Sequence, residues 1–289
     1  MRLVRYGGGR IGILKDGSVH DATDAIGLNP AAWPPVGMVQ LIMNFDALRP
    51  KLESVVKTPG TSVDKVFLET PILWPNKLLA YPVNFAAHGI EFNSPNRADL
   101  NGFFLKANSS LSGPRDPIVL PDIPGREIHH ECELAIIIGK TVRHVDAADA
   151  LGCVFGYACL IDVTVRGKEE RVMRKSYDTF TPIGPALVTA DEVGDPSSLD
   201  LKLWVNDELR QNANTRDFIV DVPNMVSLAS SVATLYPGDV IATGTPAGVG
   251  PIKAGDRITI EIERVGRMVI PVEQGQGGNN IAMRKGGKS

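Results

Sequence analysis

The tightest constraint in this chain of 289 residues is a pair of glutamates set where carboxylates are costly. Glu131-Cys132-Glu133 runs directly into Leu134-Ala135-Ile136-Ile137-Ile138-Gly139. Side chains alternate between the two faces of a β-strand, so Glu131 and Glu133 share one face and Cys132 takes the other. The apolar run that follows reads as a strand buried on both sides. Carboxylates beside such a core are unfavourable unless something positive lies between them. Asp162 is a third acid in an interior-like setting, Tyr157-Ala158-Cys159-Leu160-Ile161-Asp162-Val163. Acidic trios are most often a solvated face or ion-pair partners, but neither segment is surface-like. Three acidic oxygens there point to a hard divalent cation, Mg²⁺ or Mn²⁺.

The chain is long enough for one large domain plus a small one. A formal net charge of -3 argues against general binding to nucleic acid or anionic membranes. No apolar stretch approaches the roughly 20 residues of a membrane helix. Met1-Arg2-Leu3-Val4-Arg5-Tyr6 lacks the apolar core of a secretion signal. Cys132, Cys153 and Cys159 have no CxxC spacing and read as reduced thiols, so a cytoplasmic protein is expected.

Arg10-Ile11-Gly12-Ile13-Leu14 and Ser18-Val19-His20 flank Lys15-Asp16-Gly17, which predicts a tight hairpin. Gly7-Gly8-Gly9-Arg10-Ile11-Gly12 formally fits GxGxxG, but a hairpin follows where a dinucleotide loop requires a helix. Residues 44 to 57 read as an amphipathic helix interrupted by Pro50. Pro71-Ile72-Leu73-Trp74-Pro75 marks a boundary, which sets a small β-rich N-terminal domain at residues 1–72. Beyond it strands dominate: Leu201 to Val205, a turn at Asn206-Asp207, then Glu208 to Arg210. Alternating Ile258, Ile260, Ile262 and Met268, Ile270, Val272 predict two more. One helix is predicted from an Asp146 N-cap to Leu151, another from Asp221 until Pro237-Gly238. The Gly-, Asn- and Lys-rich tail, residues 276–289, reads as mobile.

His88 and Glu91 are three residues apart, so on a helical turn the carboxylate can orient the imidazole and raise its basicity. From spacing alone an ordinary helix-surface salt contact is the favoured reading. Lys106, Arg166 and Lys175 would bind a substrate carboxylate or polarise a carbonyl if they stand near a metal, and are plain surface cations otherwise. Gly238 to Gly250 is a strand entering a glycine-rich loop whose amides could approach a ligand, without the Gly-Lys-Ser/Thr ending of a phosphate loop.

Together these segments resemble the fumarylacetoacetate hydrolase family over roughly residues 73–275. The resemblance rests on Glu131-Cys132-Glu133-Leu134-Ala135, Gly156-Tyr157 with Asp162-Val163-Thr164-Val165-Arg166, Lys175-Ser176-Tyr177-Asp178-Thr179-Phe180-Thr181-Pro182-Ile183-Gly184-Pro185, and the glycine loop. It implies an α+β, mainly β fold, a mixed β-sandwich roll carrying the small N-terminal domain, usually homodimeric, with Mg²⁺, Mn²⁺ or Ca²⁺ held by Glu131, Glu133 and Asp162. It implies further that His88 and Glu91 are a catalytic dyad on a lid, that Lys175 is the active-site lysine, and that Lys106, Arg166 and Thr245 meet substrate. Ala107 replaces a common proline, Glu169 a common glutamine, and the segment up to Lys175 is shorter than usual.

The expected activity is metal-dependent hydrolysis of a carbon–carbon bond in a β-diketo acid. The substrate would be an acylpyruvate such as fumarylpyruvate or maleylpyruvate, giving pyruvate and a carboxylic acid in aromatic-compound catabolism. The alternative is decarboxylation or isomerisation of a keto or 2-hydroxydiene diacid through a similar cation-stabilised enolate. A noncatalytic metal-binding protein would need neither His88, Glu91 nor Lys175.

Overall fold

The computed structural model describes residues 1–280 and residue 282. Strands β1 (Arg2–Tyr6), β2 (Arg10–Lys15) and β3 (Ser18–Asp21) form an antiparallel meander. At the predicted hairpin tip Asp16 and Gly17 both take positive φ, 48° and 74°, as a type I′ turn requires. The glycines after β1 make the turn into β2, so no helix N-terminus meets that loop.

Helices α1 (Gly37–Met43) and α2 (Phe45–Val55) follow. Pro50 lies inside α2 and does not interrupt it as expected. The ring removes one bond to the Asp46 carbonyl, but both residues are exposed, so water satisfies that group while Phe45 and Leu52 hold the helix to the core.

The remaining strands needed here are β4 (Leu78–Ala80), β5 (Phe104–Lys106), β6 (Ile128–His130), β7 (Cys132–Ile138), β8 (Val154–Ile161) and β9 (Thr181–Thr189). They continue with β10 (Asp200–Val205), β11 (Glu208–Asn214), β12 (Val240–Ala242), β13 (Arg257–Ile262) and β14 (Gly266–Gln274). Among them lie helices α3 (Ala86–Glu91), α4 (Arg171–Lys175) and α5 (Val222–Val232).

The main sheet runs in the order β3-β2-β1-β9-β8-β7-β12-β4-β5. A second sheet, β11-β10-β13-β14, packs on one face of it. The alternation along β7 sorts the two cores. Cys132, Leu134, Ile136 and Ile138 join the core shared with β10, β13 and α5, while Ala135 and Ile137 join the core under α1 and α2. The fold is therefore mainly β, a mixed sandwich covered on both faces, and β7 is buried on both sides.

Two helix ends differ from the sequence expectation. The helix after Asp146 covers only Ala147–Ala150, and the Asp146 side chain makes no cap bond. Asp221 does cap α5, accepting from the Asn224 N–H. That helix stops at Val232 because the chain turns extended to pair Leu235 with Val142. Residues 281 and 283–289 of the predicted tail lie outside the described residues; Gly278 O, before them, accepts from Tyr177 Oη at 3.0 Å.

Candidate active site

Strand register brings the three acids together. Cys132 pairs with Ile161 across β7 and β8, so Glu131 and Asp162 come next to each other at the strand ends, with the Asp162 N–H donating to Glu131 O at 2.9 Å. Glu133 is two residues along β7 on the same face. The ligand atoms of Glu131, Glu133 and Asp162 lie within 4.8 Å of one another, and all three side chains are buried. That approaches the span of about 4.2 Å between opposite oxygens around Mg²⁺.

Two buried lysines meet the cluster. Lys175 Nζ, at the end of α4, donates to Glu131 Oε2 at 2.7 Å and Asp162 Oδ2 at 2.6 Å. Lys106 Nζ, at the end of β5, donates to Asp162 Oδ1 at 2.5 Å and Phe180 O at 3.2 Å. Burial favours the uncharged carboxyl of Glu131, but Lys175 and then Arg166 outweigh it and hold that group well below the usual range. Glu133 makes no ion pair among the described residues. Burial, Asp162 and Glu131 all raise its carboxyl well above the usual range. An all-oxygen donor set with one carboxylate left repelled by its neighbours fits a hard divalent ion, and these residues can hold one.

The loop after β12 supplies the rest. The Gly244 N–H donates to Glu133 Oε2 at 2.8 Å, and the Gly248 N–H donates to Glu91 Oε1 at 3.0 Å. Gly244 has φ of 88°, and a Cβ there would sit 2.7 Å from Asn84 Cβ. Asn84 itself bonds Val220 and Thr243 backbone groups, pinning the start of α3 against this loop. On α3, His88 Nδ1 and Glu91 Oε2 are 3.1 Å apart. A carboxylate only accepts, so Nδ1 carries the proton and Nε2 is the free basic nitrogen. His88, the three carboxylates, Lys175 and Thr245 all line one cavity of about 310 Å³.

Arg166 also lines this cavity, oriented from behind. Its Nε donates to His129 Nδ1 at 2.9 Å, and His129 Nε2 in turn meets Glu127 Oε2 at 2.9 Å. Burial lowers the His129 pKa, in keeping with the neutral ring this relay needs. Glu169 is drawn away: Arg126 binds it in a fork, at 3.0 and 2.8 Å.

Thr245 is set by Gln211, which the sequence reading missed. Gln211 Oε1 accepts from Cys132 N–H at 2.9 Å and from His130 Nδ1 at 3.1 Å. Its Nε2 therefore donates, to Thr245 Oγ1 and Pro246 O, both at 2.8 Å. With an acceptor role imposed on it, the Thr245 hydroxyl keeps its own proton for the cavity. Burial pushes His130 down to about 4, so this ring stays neutral as well.

Residues 77–273 match the fumarylacetoacetate hydrolase C-terminal family. The chain belongs to the fumarylacetoacetate hydrolase family. Within the family it is 42% identical over 285 residues to a maleylpyruvate hydrolase of Aquipseudomonas alcaligenes, covering 94% of this chain and 99% of that one. A crystal structure of maleylpyruvate hydrolase from Sphingobium sp. SYK-6, in complex with manganese(II) and pyruvate, is 55% identical with a TM-score of 0.89. It covers 96% of this chain and 100% of that chain. A human mitochondrial oxaloacetate tautomerase is 38% identical over 212 residues, 69% of this chain and 67% of the human protein. No helix among the described residues is long and apolar enough to cross a membrane.

Proposed function

We propose that this protein hydrolyses the carbon–carbon bond of an acylpyruvate, releasing pyruvate and a carboxylic acid. The observation that carries the reading is that His88, paired at Nδ1 with Glu91, lines the same cavity as the Glu131, Glu133 and Asp162 cluster. Likeness to two maleylpyruvate hydrolases, one solved with manganese and pyruvate, supports the substrate class and Mg²⁺ or Mn²⁺ as the ion.

Held by Glu131, Glu133 and Asp162, the ion supplies electrophilic stabilisation as negative charge develops at the keto-acid end. His88 Nε2 removes a proton from water, and Glu91 holds the opposite Nδ1–H in place. The resulting hydroxide adds to the distal acyl carbonyl carbon. The adjacent carbon–carbon bond then breaks, its electron pair passing to the pyruvate fragment as an enolate that takes up a proton. Lys175 places an ammonium beside that developing charge, and Thr245 and Arg166 offer hydrogen bonds to the substrate oxygens. His88→Ala should lower pyruvate release about 10²- to 10⁴-fold with manganese still bound. A near-normal kcat would eliminate His88 as the base.

The human tautomerase relative supports a second reading, in which keto–enol exchange or decarboxylation of a keto diacid uses the same cavity. Measuring carboxylate against carbon dioxide release from matched substrates separates the two. The proposal includes a catalytic unit from residue 73 to 275 beside an N-terminal unit; the family match beginning at residue 77 supports that division. It includes a cytoplasmic homodimer, for which the three free cysteines and the family resemblance speak.

A further inference from the structure

Arg171 has no part in the arrangement described so far. Arg171 and Lys175 are four residues apart on α4 and share a face of it. Both cations lie over the Phe104 ring, 5.2 and 6.0 Å from its centroid. Lys175 is committed to Glu131 and Asp162, whereas Arg171 meets no carboxylate among the described residues. Two further guanidinium groups, of Arg166 and Arg174, line the same cavity. Arg166 Nη2 is buried without a hydrogen-bond partner among the described residues. Arg174 uses Nε and Nη1 on the carbonyls of Glu169 and Val165, which fixes its charge at the wall. Of the acids near them, Glu169 is held by Arg126, and Glu131, 3.9 Å from Arg166 Nη1, is bound more closely by Lys175 at 2.7 Å.

These charges exceed what the chemistry at the ion requires. A divalent ion with Lys106 and Lys175 already outweighs the three carboxylates, and one keto-acid carboxylate does not neutralise three arginines as well. We propose that Arg171, backed by Arg166 and Arg174, binds a second carboxylate at the far end of the acyl group and makes the site selective for dicarboxylic acylpyruvates. Four residues of helix separate Arg171 from Lys175 by about 6 Å, within reach of a short acyl chain ending in a carboxylate. A planar guanidinium can grip that carboxylate through two parallel hydrogen bonds. Arg171 itself lines the cavity, beside Arg174 and Lys175 of the same helix.

This rests on the acylpyruvate reading, so the test uses ligands that cannot be hydrolysed. Calorimetry on the manganese-loaded protein compares 2-oxoadipate with 2-oxohexanoate, keto acids of equal length with and without the terminal carboxylate. Wild type should bind the diacid roughly ten- to a hundredfold more tightly. Arg171→Gln should remove most of that preference while leaving 2-oxohexanoate binding unchanged, and Arg171→Lys should restore part of it. Equal binding of both acids by wild type overturns the proposal, as does an Arg171→Gln variant that keeps the preference or weakens both ligands alike. If the preference behaves as described but no acylpyruvate is cleaved, the hydrolase reading fails and the carboxylate site stands.

Discussion

Gln211 decides which way the Thr245 hydroxyl points. Its amide is wholly buried, and every one of its polar contacts is assigned by the Cys132 N–H, which can only donate. Gln211→Glu keeps the acceptor for Cys132 and His130 but removes both amide donors. Thr245 would then turn its proton onto the new carboxylate and away from substrate. Gln211→Glu and Thr245→Val should therefore lower kcat/KM by a similar factor, about tenfold for one lost hydrogen bond, and the double variant should lose little more. Steady-state kinetics on the three variants check this; fully additive losses would separate the two residues. Nothing in Glu208-Leu209-Arg210-Gln211-Asn212-Ala213-Asn214 announces a buried glutamine, because the strand has no apolar alternation to reveal its inner face.

At the scale of elements, the loop after β12 joins the acid cluster to the dyad through two backbone amides. Gly244→Ala would place a Cβ against Asn84 at a positive φ, so the loop must shift and release Glu133. The expected cost is about 1–3 kcal/mol of stability together with weaker manganese binding, read by thermal unfolding and metal titration. Manganese affinity equal to wild type would show that the amide is dispensable. The acid cluster itself was readable in advance because Glu131, Glu133 and Asp162 are costly residue types in apolar segments. The His88–Glu91 spacing favoured a surface contact, and only the family resemblance singled the pair out. The loop's contribution was not readable, since an N–H donor leaves no mark on residue type. The Glu169–Arg126 and Arg166–His129 contacts join residues 43 and 37 positions apart, a pairing that local pattern does not encode. Pro50 was misread because a proline on an exposed helix face loses only a bond that water replaces.

At the scale of the molecule, β9 runs from the active site to the N-terminal segment. Phe180 O, just before it, accepts from Lys106, and Thr189 at its far end meets the Met1 amino group at 2.6 Å. Beside that end, the Thr189 hydroxyl and then Arg49 hold Asp191 down to about 2. Burial alone would raise Glu192, but the Met1 ammonium and Arg2 bring it below the usual range. Carboxyls depressed in the folded state stabilise it fully above their unfolded values near 4, and that contribution disappears as pH falls towards about 2. Urea midpoints should thus hold steady from pH 7 to 5 and drop below about pH 4. Asp191→Asn should show a shallower decline over that acid range; an unchanged slope would exclude this carboxylate from the acid response. The pairing of Arg2 with Val188 and Leu3 with Leu187 has a wider meaning for the sheet. Without the first strands, the outer half of β9 would stand as a bare ladder of amides and carbonyls, ready to recruit a stranger's strand. The amino-terminal meander is in that sense an edge guard, keeping a catalytic sheet from becoming a template for aggregation.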